Sequence, residues 1–211
     1  MKLVCISDTH GRHRKIDNLP EGDVLIHAGD FTSHGTENNV RDFVDWIDNL
    51  DYRIKIVIAG NHDKFCYEFP KETEQIFDLD NLYYLRDGGM YDDDKYVWFY
   101  GSPYTKYFLN WYFNIPPSEE FKKWQKLPRN LDGEILITHG PPYGVRDKVE
   151  DRSLGDIDLR NRVEVLRPKY HIFGHIHNGY GIEEIGGITY VNCSLLDEGY
   201  NLVNKPIVIE I

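Results

Sequence analysis

His175 and His177 stand one residue apart at the end of the apolar run Tyr170–Phe173, with Gly174 before them and Gly179 after. On an extended segment alternate side chains share a side. If the segment is extended, the two imidazoles are either a metal pair or two unrelated surface histidines, and the glycines let backbone crowd a central object. Four other apolar runs end in a similar way. Leu3–Ile6 leads to Asp8 and His10, Val24–Ala28 to Gly29 and Asp30, Ile54–Ala59 to Asn61, His62 and Asp63, and Ile135–Thr138 to His139. Each block alone has a plain structural explanation. Asp-x-His is a cap and a surface histidine, Gly-Asp is a turn, Asn-His-Asp is a loop satisfying its own backbone, and His139 is a hydrogen-bonded core histidine. Together they place dense polar groups in competition for partners, which a cation would resolve. Imidazoles, carboxylates and one amide oxygen, without cysteine, suit Mn²⁺, Fe or Zn²⁺ better than Mg²⁺ or a thiolate site. Asp8, His10, Asp30, Asn61, His139, His175 and His177 are too many ligands for one tetrahedral zinc and fit two ions.

The elements that must position these residues are legible as short β-branched runs, which read as buried strands. Val97–Tyr100, Ile188–Val191 and Ile207–Ile211 join the five already named. Helical periodicity lies between them. Val40, Phe43, Val44, Ile47 and Leu50 share a face, Ser118 reads as the N-cap of a helix carrying Phe121 and Trp124, and Asp156–Leu166 is a third helix ended before Pro168. A hairpin is expected at Glu184–Gly187, and Asp92–Asp94 reads as a solvated turn. Alternating strands and helices predict an α/β fold, with the polar strand ends gathered where open α/β sheets form their sites.

Composition narrows the partners. The 211 residues carry a formal net charge of −11, with 41% hydrophobic and 28% charged residues, as expected for one globular domain spanning 1–211. An acidic chain repels polyanions, so a long nucleic acid is disfavoured while a small phosphate ligand stays open. Cys5, Cys66 and Cys193 lack metal or redox spacing, and no run is long enough for a leader or a membrane span. A soluble, cytoplasmic protein is expected. Oligomeric state is not legible.

The ordered set Asp8-x-His10, Gly29-Asp30, Gly60-Asn61-His62-Asp63, His139-Gly140-Pro141-Pro142 and Gly174-His175-x-His177 resembles the calcineurin-like metallophosphoesterases. The likeness covers nearly the whole chain. Gly29–Thr32, Ile54–Asn61, Gly101–Pro103 with Trp111 and Phe113, Leu136–Pro142 and Pro168–Gly181 resemble the metallophosphoesterase-domain-containing branch, whose members include cyclic nucleotide phosphodiesterases. The resemblance implies a four-layer α-β-β-α sandwich of two mixed sheets with a dinuclear metal site at the strand ends. It implies one ion on Asp8, His10, Asp30 and His177, and a second on Asp30, Asn61, His139 and His175, with Asp30 bridging. By the same likeness a metal-bridging hydroxide attacks phosphorus and His62 is the general acid. Asp63 is then expected to orient the His62 ring.

Substrate class is less sharply written. The protein phosphatases of this superfamily carry an Asp-Arg-Gly after the Gly-Asp block. Here Phe31-Thr32-Ser33-His34-Gly35 follows, so a phosphoprotein is disfavoured. Arg12-His13-Arg14-Lys15 reads either as a phosphate attractor or as a solvated helix start. Tyr104, Tyr107, Phe108, Trp111, Tyr112 and Phe113, with Tyr180, offer rings to a base, against the simpler reading of packing. His34 faces the site or lies in a loop. The expected activity is hydrolysis of phosphodiesters of small nucleotides such as cyclic nucleotides. A phosphomonoesterase or nuclease on the same metal pair, or a non-catalytic scaffold, are the alternatives.

Overall fold

The computed structural model describes residues 1–129, 131 and 134–211. Two mixed sheets face each other. The first has, in spatial order, Ile207–Glu210, Lys2–Ile6, Val24–Ala28, Ile54–Ile58 and Leu82–Tyr84, with only Ile207–Glu210 antiparallel to its neighbour. The second runs Gly181–Ile185, Ile188–Asn192, Tyr170–Phe173, Ile135–Thr138, Val97–Ser102 and Gly88–Asp92, parallel except at its two outer strands.

The central strands are apolar on both faces because both faces are covered. Leu3, Ile26, Ile56 and Ile58 from one sheet meet Phe99, Ile137, Ile172 and Val191 from the other in the layer between the sheets. The outer face of the first sheet buries Val4, Leu25 and Val57 under Val40, Phe43, Val44 and Ile47 of the helix Glu37–Asp48. The outer face of the second buries Leu136, Phe173 and Tyr190 under Trp124, Leu159 and Val163 of the helices Glu120–Gln125 and Ile157–Leu166. These are the four layers α-β-β-α.

Register sets the strand ends level. Ile6 lies opposite His27 and Ala28 opposite Ile58, so Asp8, Asp30 and Asn61 leave the first sheet side by side. A bridge between Ser7 and Ser194 ties the two sheets together beside them. Gly29 (φ +100°) and Gly174 sit at the crossing point, where a Cβ would overlap His139 at the first and the Ser7 hydroxyl and Asp8 carboxylate at the second.

Several details differ from the sequence reading. Ser118 does not cap its helix. Glu119 takes that position with no side-chain cap, and Phe121 is exposed while Trp124 anchors the segment. Asp92 is buried and accepts from Arg53 at 3.0 Å, so the start of the acidic run is an ion pair, not a solvated turn. The first long helix begins earlier than its apolar stripe, because Thr36 and Asn39 form a capping box that hydrophobic periodicity does not register. Among the described residues no helix is long and apolar enough to cross a membrane.

Phe43 is fully buried and stacks on Phe31 with centroids 4.3 Å apart. Phe43→Ala should lower stability by about 3–5 kcal/mol, read from urea denaturation, because it opens a cavity between helix and sheet.

Candidate metal centre

Seven of the residues singled out by the sequence converge at the level strand ends. Asp8, His10 and His177 bring ligand atoms within 4.8 Å of one another, and so do Asp30, His139 and His175. Asp30 links the two groups, since its Oδ2 lies 3.7 Å from His10 Nε2 and 3.3 Å from His139 Nε2. Asn61 Oδ1 lies 3.0 Å from the same His139 nitrogen. Asp8, His10, Asp30 and His175 all have positive φ, between 42° and 67°. For the histidines especially this is a strained, over-determined backbone, of the kind concentrated at functional sites.

Outer contacts fix how the ligands point. His139 Nδ1 lies 2.9 Å from the Ala28 carbonyl, and His177 Nδ1 lies 2.9 Å from the Asp197 carbonyl. A carbonyl only accepts, so both Nδ1 atoms carry the proton and both Nε2 lone pairs aim inward. Asp8 accepts from the Ser194 hydroxyl at 2.7 Å and from the His175 N–H at 3.0 Å. The Asp30 Oδ1 accepts from the His62 N–H at 2.8 Å.

The donor set fits a pair of divalent cations. His139 Nε2 faces two oxygen acceptors, and both ring nitrogens of the buried His10 lack a hydrogen-bond partner. Neutral, these groups would set lone pair against lone pair, so a proton or a metal ion must lie among them. The electrostatics agree. Burial opposes charging of His139, yet the adjacent Asp30 holds it protonated up to about 9. His177 behaves alike beside Asp8 and also reaches about 9. Burial pushes His10 and His175 down to about 4, ready to ligate as neutral rings. Burial works to raise Asp8 and Asp30, but the histidines around them hold both below the usual carboxylate range.

His62 stands beside this centre, edge-on to His10 with ring centroids 4.5 Å apart. Its Nδ1 lies 3.2 Å from the Ser33 carbonyl. Trp111 stacks over it with centroids 4.2 Å apart and planes at 26°. Asp63 does not make the orienting contact expected of it. Its carboxylate accepts from the Thr32 N–H at 2.9 Å, the Thr32 hydroxyl at 2.7 Å and the Gly60 N–H at 2.8 Å. It braces the loop that presents Asn61 and His62. Burial, then the Asp30 charge, push it up to about 7.

Other candidates separate clearly. Arg14 is taken up by Asp42 and Asp45 and His13 by Asp42, leaving Arg12, which lies over the Tyr200 ring at 5.9 Å, and the exposed Lys15. Phe113 is core, Tyr180 packs against the inter-sheet core and donates to the Lys205 carbonyl, and His34 is exposed. Tyr200 was not singled out by the sequence. It edges against His10 at 4.9 Å and His177 at 5.5 Å, and its only sequence cue is a turn from Asp197 to Asn201. A cleft of about 420 Å³ opens over the centre, walled by His62, Trp111, Phe108, Glu198 and Tyr200.

Comparison with known proteins gives the family and the fold. The family model described as "Calcineurin-like phosphoesterase" matches residues 1–179. Human metallophosphoesterase domain-containing protein 1 is 40% identical over 235 residues, which cover 100% of this chain and 71% of the human protein. Among solved structures, TT1561 of Thermus thermophilus superposes with a TM-score of 0.63 at 11% identity, covering 90% of this chain and 88% of that one. The phosphopantetheinyl hydrolase of Mycobacterium tuberculosis superposes with a TM-score of 0.60 at 14% identity, covering 92% and 88%. Both structures speak for the fold alone.

Two outcomes follow for metal binding. Asp30→Asn should reduce metal content at both positions, read by elemental analysis, whereas loss at one position only would separate the two groups of ligands. Because His139 and His177 hold protons up to about 9 in the metal-free protein, metal uptake at pH 7.5 should release protons and affinity should rise with pH toward 9. Calorimetry in buffers of different ionisation enthalpy reads the release directly.

Proposed function

The chain belongs to the calcineurin-like phosphoesterases, metal-dependent hydrolases of phosphate esters, and from that premise we propose that it cleaves phosphodiester bonds in small nucleotides such as cyclic nucleotides. One ion would be held by Asp8, His10, Asp30 and His177, the other by Asp30, Asn61, His139 and His175, with Mn²⁺, Fe or Zn²⁺ matching the donors. Once bound, such ions activate a water and offset charge on the phosphoryl oxygens.

The observation that carries the reading is the setting of His62. Ser33 holds its Nδ1–H, so a second proton would sit on Nε2 and be free to pass to the leaving oxygen. After transfer the ring is neutral with Nδ1–H still on Ser33, so the tautomer never has to change. Trp111 covers one face of the ring and limits its rotation. Asp63 acts at one remove, through the loop it braces.

The cleft supports a diester over a monoester. Its described lining holds neither lysine nor arginine, and Glu198 adds a carboxylate. A dianionic monoester would meet that carboxylate with less compensation than a monoanionic diester. Phe108 and Trp111 are exposed at its mouth and present ring faces that suit a base. The reducing cytoplasm is the compartment proposed, where the buried Cys5, Cys66 and Cys193 stay thiols.

His62→Gln should keep metal content and lower kcat by about 10²–10⁴-fold on alkyl leaving groups. The loss should shrink on nitrophenyl esters, whose leaving oxygen needs no proton. An equal loss on both would make His62 a binding residue instead. For substrate class, kcat/KM with Mn²⁺ should rank a cyclic nucleotide above its monoester product and above a phosphopeptide. Preference for the phosphopeptide would overturn the reading, and preference for the monoester would make the protein a phosphatase.

A further inference from the structure

A second cavity of about 470 Å³ adjoins the metal cleft, and Phe108, Val149, His175 and Ile176 line both. Its remaining wall is apolar at Tyr107, Pro141 and Leu154 and also includes Thr105 and Lys106. The one carboxylate in it, Asp156, has both oxygens engaged. Oδ1 accepts from the Asp158 and Leu159 N–H groups and Oδ2 from the Trp124 indole N–H, while the buried Thr105 hydroxyl in the same lining has no hydrogen-bond partner among the described residues. The volume and the apolar wall are those of a small-molecule pocket.

Its position relative to His62 is informative. His62, Trp111 and Tyr200 wall the metal cleft and take no part in the second cavity, which opens on the His175 side. In a phosphodiester hydrolysis, water forms a new bond to phosphorus and gives up a proton. The bond to the leaving oxygen breaks, and that oxygen takes a proton from His62. The other ester oxygen keeps its bond. The leaving arm must lie toward His62, so the arm that stays on phosphorus is directed elsewhere.

We propose that this apolar cavity seats the retained arm of the diester, an apolar or aromatic group about one or two rings in size. The assignment rests on the reading of the site as a phosphodiesterase. For an acyclic diester it names which half of the substrate the protein recognises: the product keeps the recognised group, and the leaving alcohol is the tolerated part.

The test compares phenyl 4-nitrophenyl phosphate with methyl 4-nitrophenyl phosphate on the Mn²⁺-loaded protein. Both release nitrophenolate and differ only in the retained arm. Leu154 is 40% exposed and lines this cavity but not the metal cleft, so Leu154→Trp fills it with little risk to folding. The phenyl-to-methyl ratio of kcat/KM should fall about tenfold in Leu154→Trp relative to wild type. In Leu154→Ala, which only thins the wall, it should fall less. Binding of phenyl phosphate against methyl phosphate, followed by calorimetry, should show the same ordering without turnover. An unchanged ratio in folded Leu154→Trp, by both measurements, would overturn the assignment. If neither diester is turned over, the diesterase reading fails by itself, and the binding ratio alone still decides whether the cavity holds an apolar phosphate substituent.

Discussion

Carboxylates and imidazoles crowded this closely need a positive charge among them, a proton or a metal ion, and the fold holds them together at its central strand ends. His139 Nε2 points at Asn61 and Asp30, and His10 lies buried with both nitrogens unpartnered. Such a cluster persists only where backbone and packing over-determine it. Level parallel registers, the Ser7–Ser194 bridge and two glycines that admit close backbone all act on this one point. The outer helices and the inter-sheet core make that geometry rigid. The arrangement is then ready for a cation before any cation arrives.

Much of this was legible in the sequence because the relevant signals are local. A buried parallel strand is an unbroken apolar run, and the residue after its last apolar position sits at the sheet's carboxyl edge. Asp8, Asp30, Asn61, His139 and His175 each follow such a run, so their convergence could be read without coordinates. The helix starts were less legible. Thr36 caps through Asn39 outside the apolar stripe, and Glu119 starts its helix without any cap. What the sequence hid were contacts made across long loops. Ser33 reaches His62, Asp197 reaches His177, and Trp111 reaches His62 from far along the chain. No spacing rule encodes those approaches. Asp63 shows the converse. Adjacency to His62 suggested a direct partner, yet the turn directs its carboxylate back to Thr32 and Gly60.

The aromatic segment illustrates why residue type alone does not separate packing from function. Phe113 and Trp111 are near neighbours in the chain, yet one is core and the other lies on an imidazole. Phe113 has positive φ, and the turn it makes leaves Phe108, Leu109 and Trp111 overhanging the cleft. Composition identifies the rings, while the turn assigns their roles.

The partners that fix the ring tautomers are Ala28, Ser33 and Asp197, and in every case the atom used is a main-chain carbonyl. Replacing the side chain at any of those positions leaves the acceptor in place. Sequence drift there is therefore silent toward the imidazoles, provided the backbone keeps its path. The ring tautomers are insulated from point mutation at these three positions, whereas the support given by the Ser194 hydroxyl, the Asp63 carboxylate and the Trp111 ring is carried by side chains. Divergent relatives can thus vary around the centre while the orientation of its histidines is inherited with the chain trace.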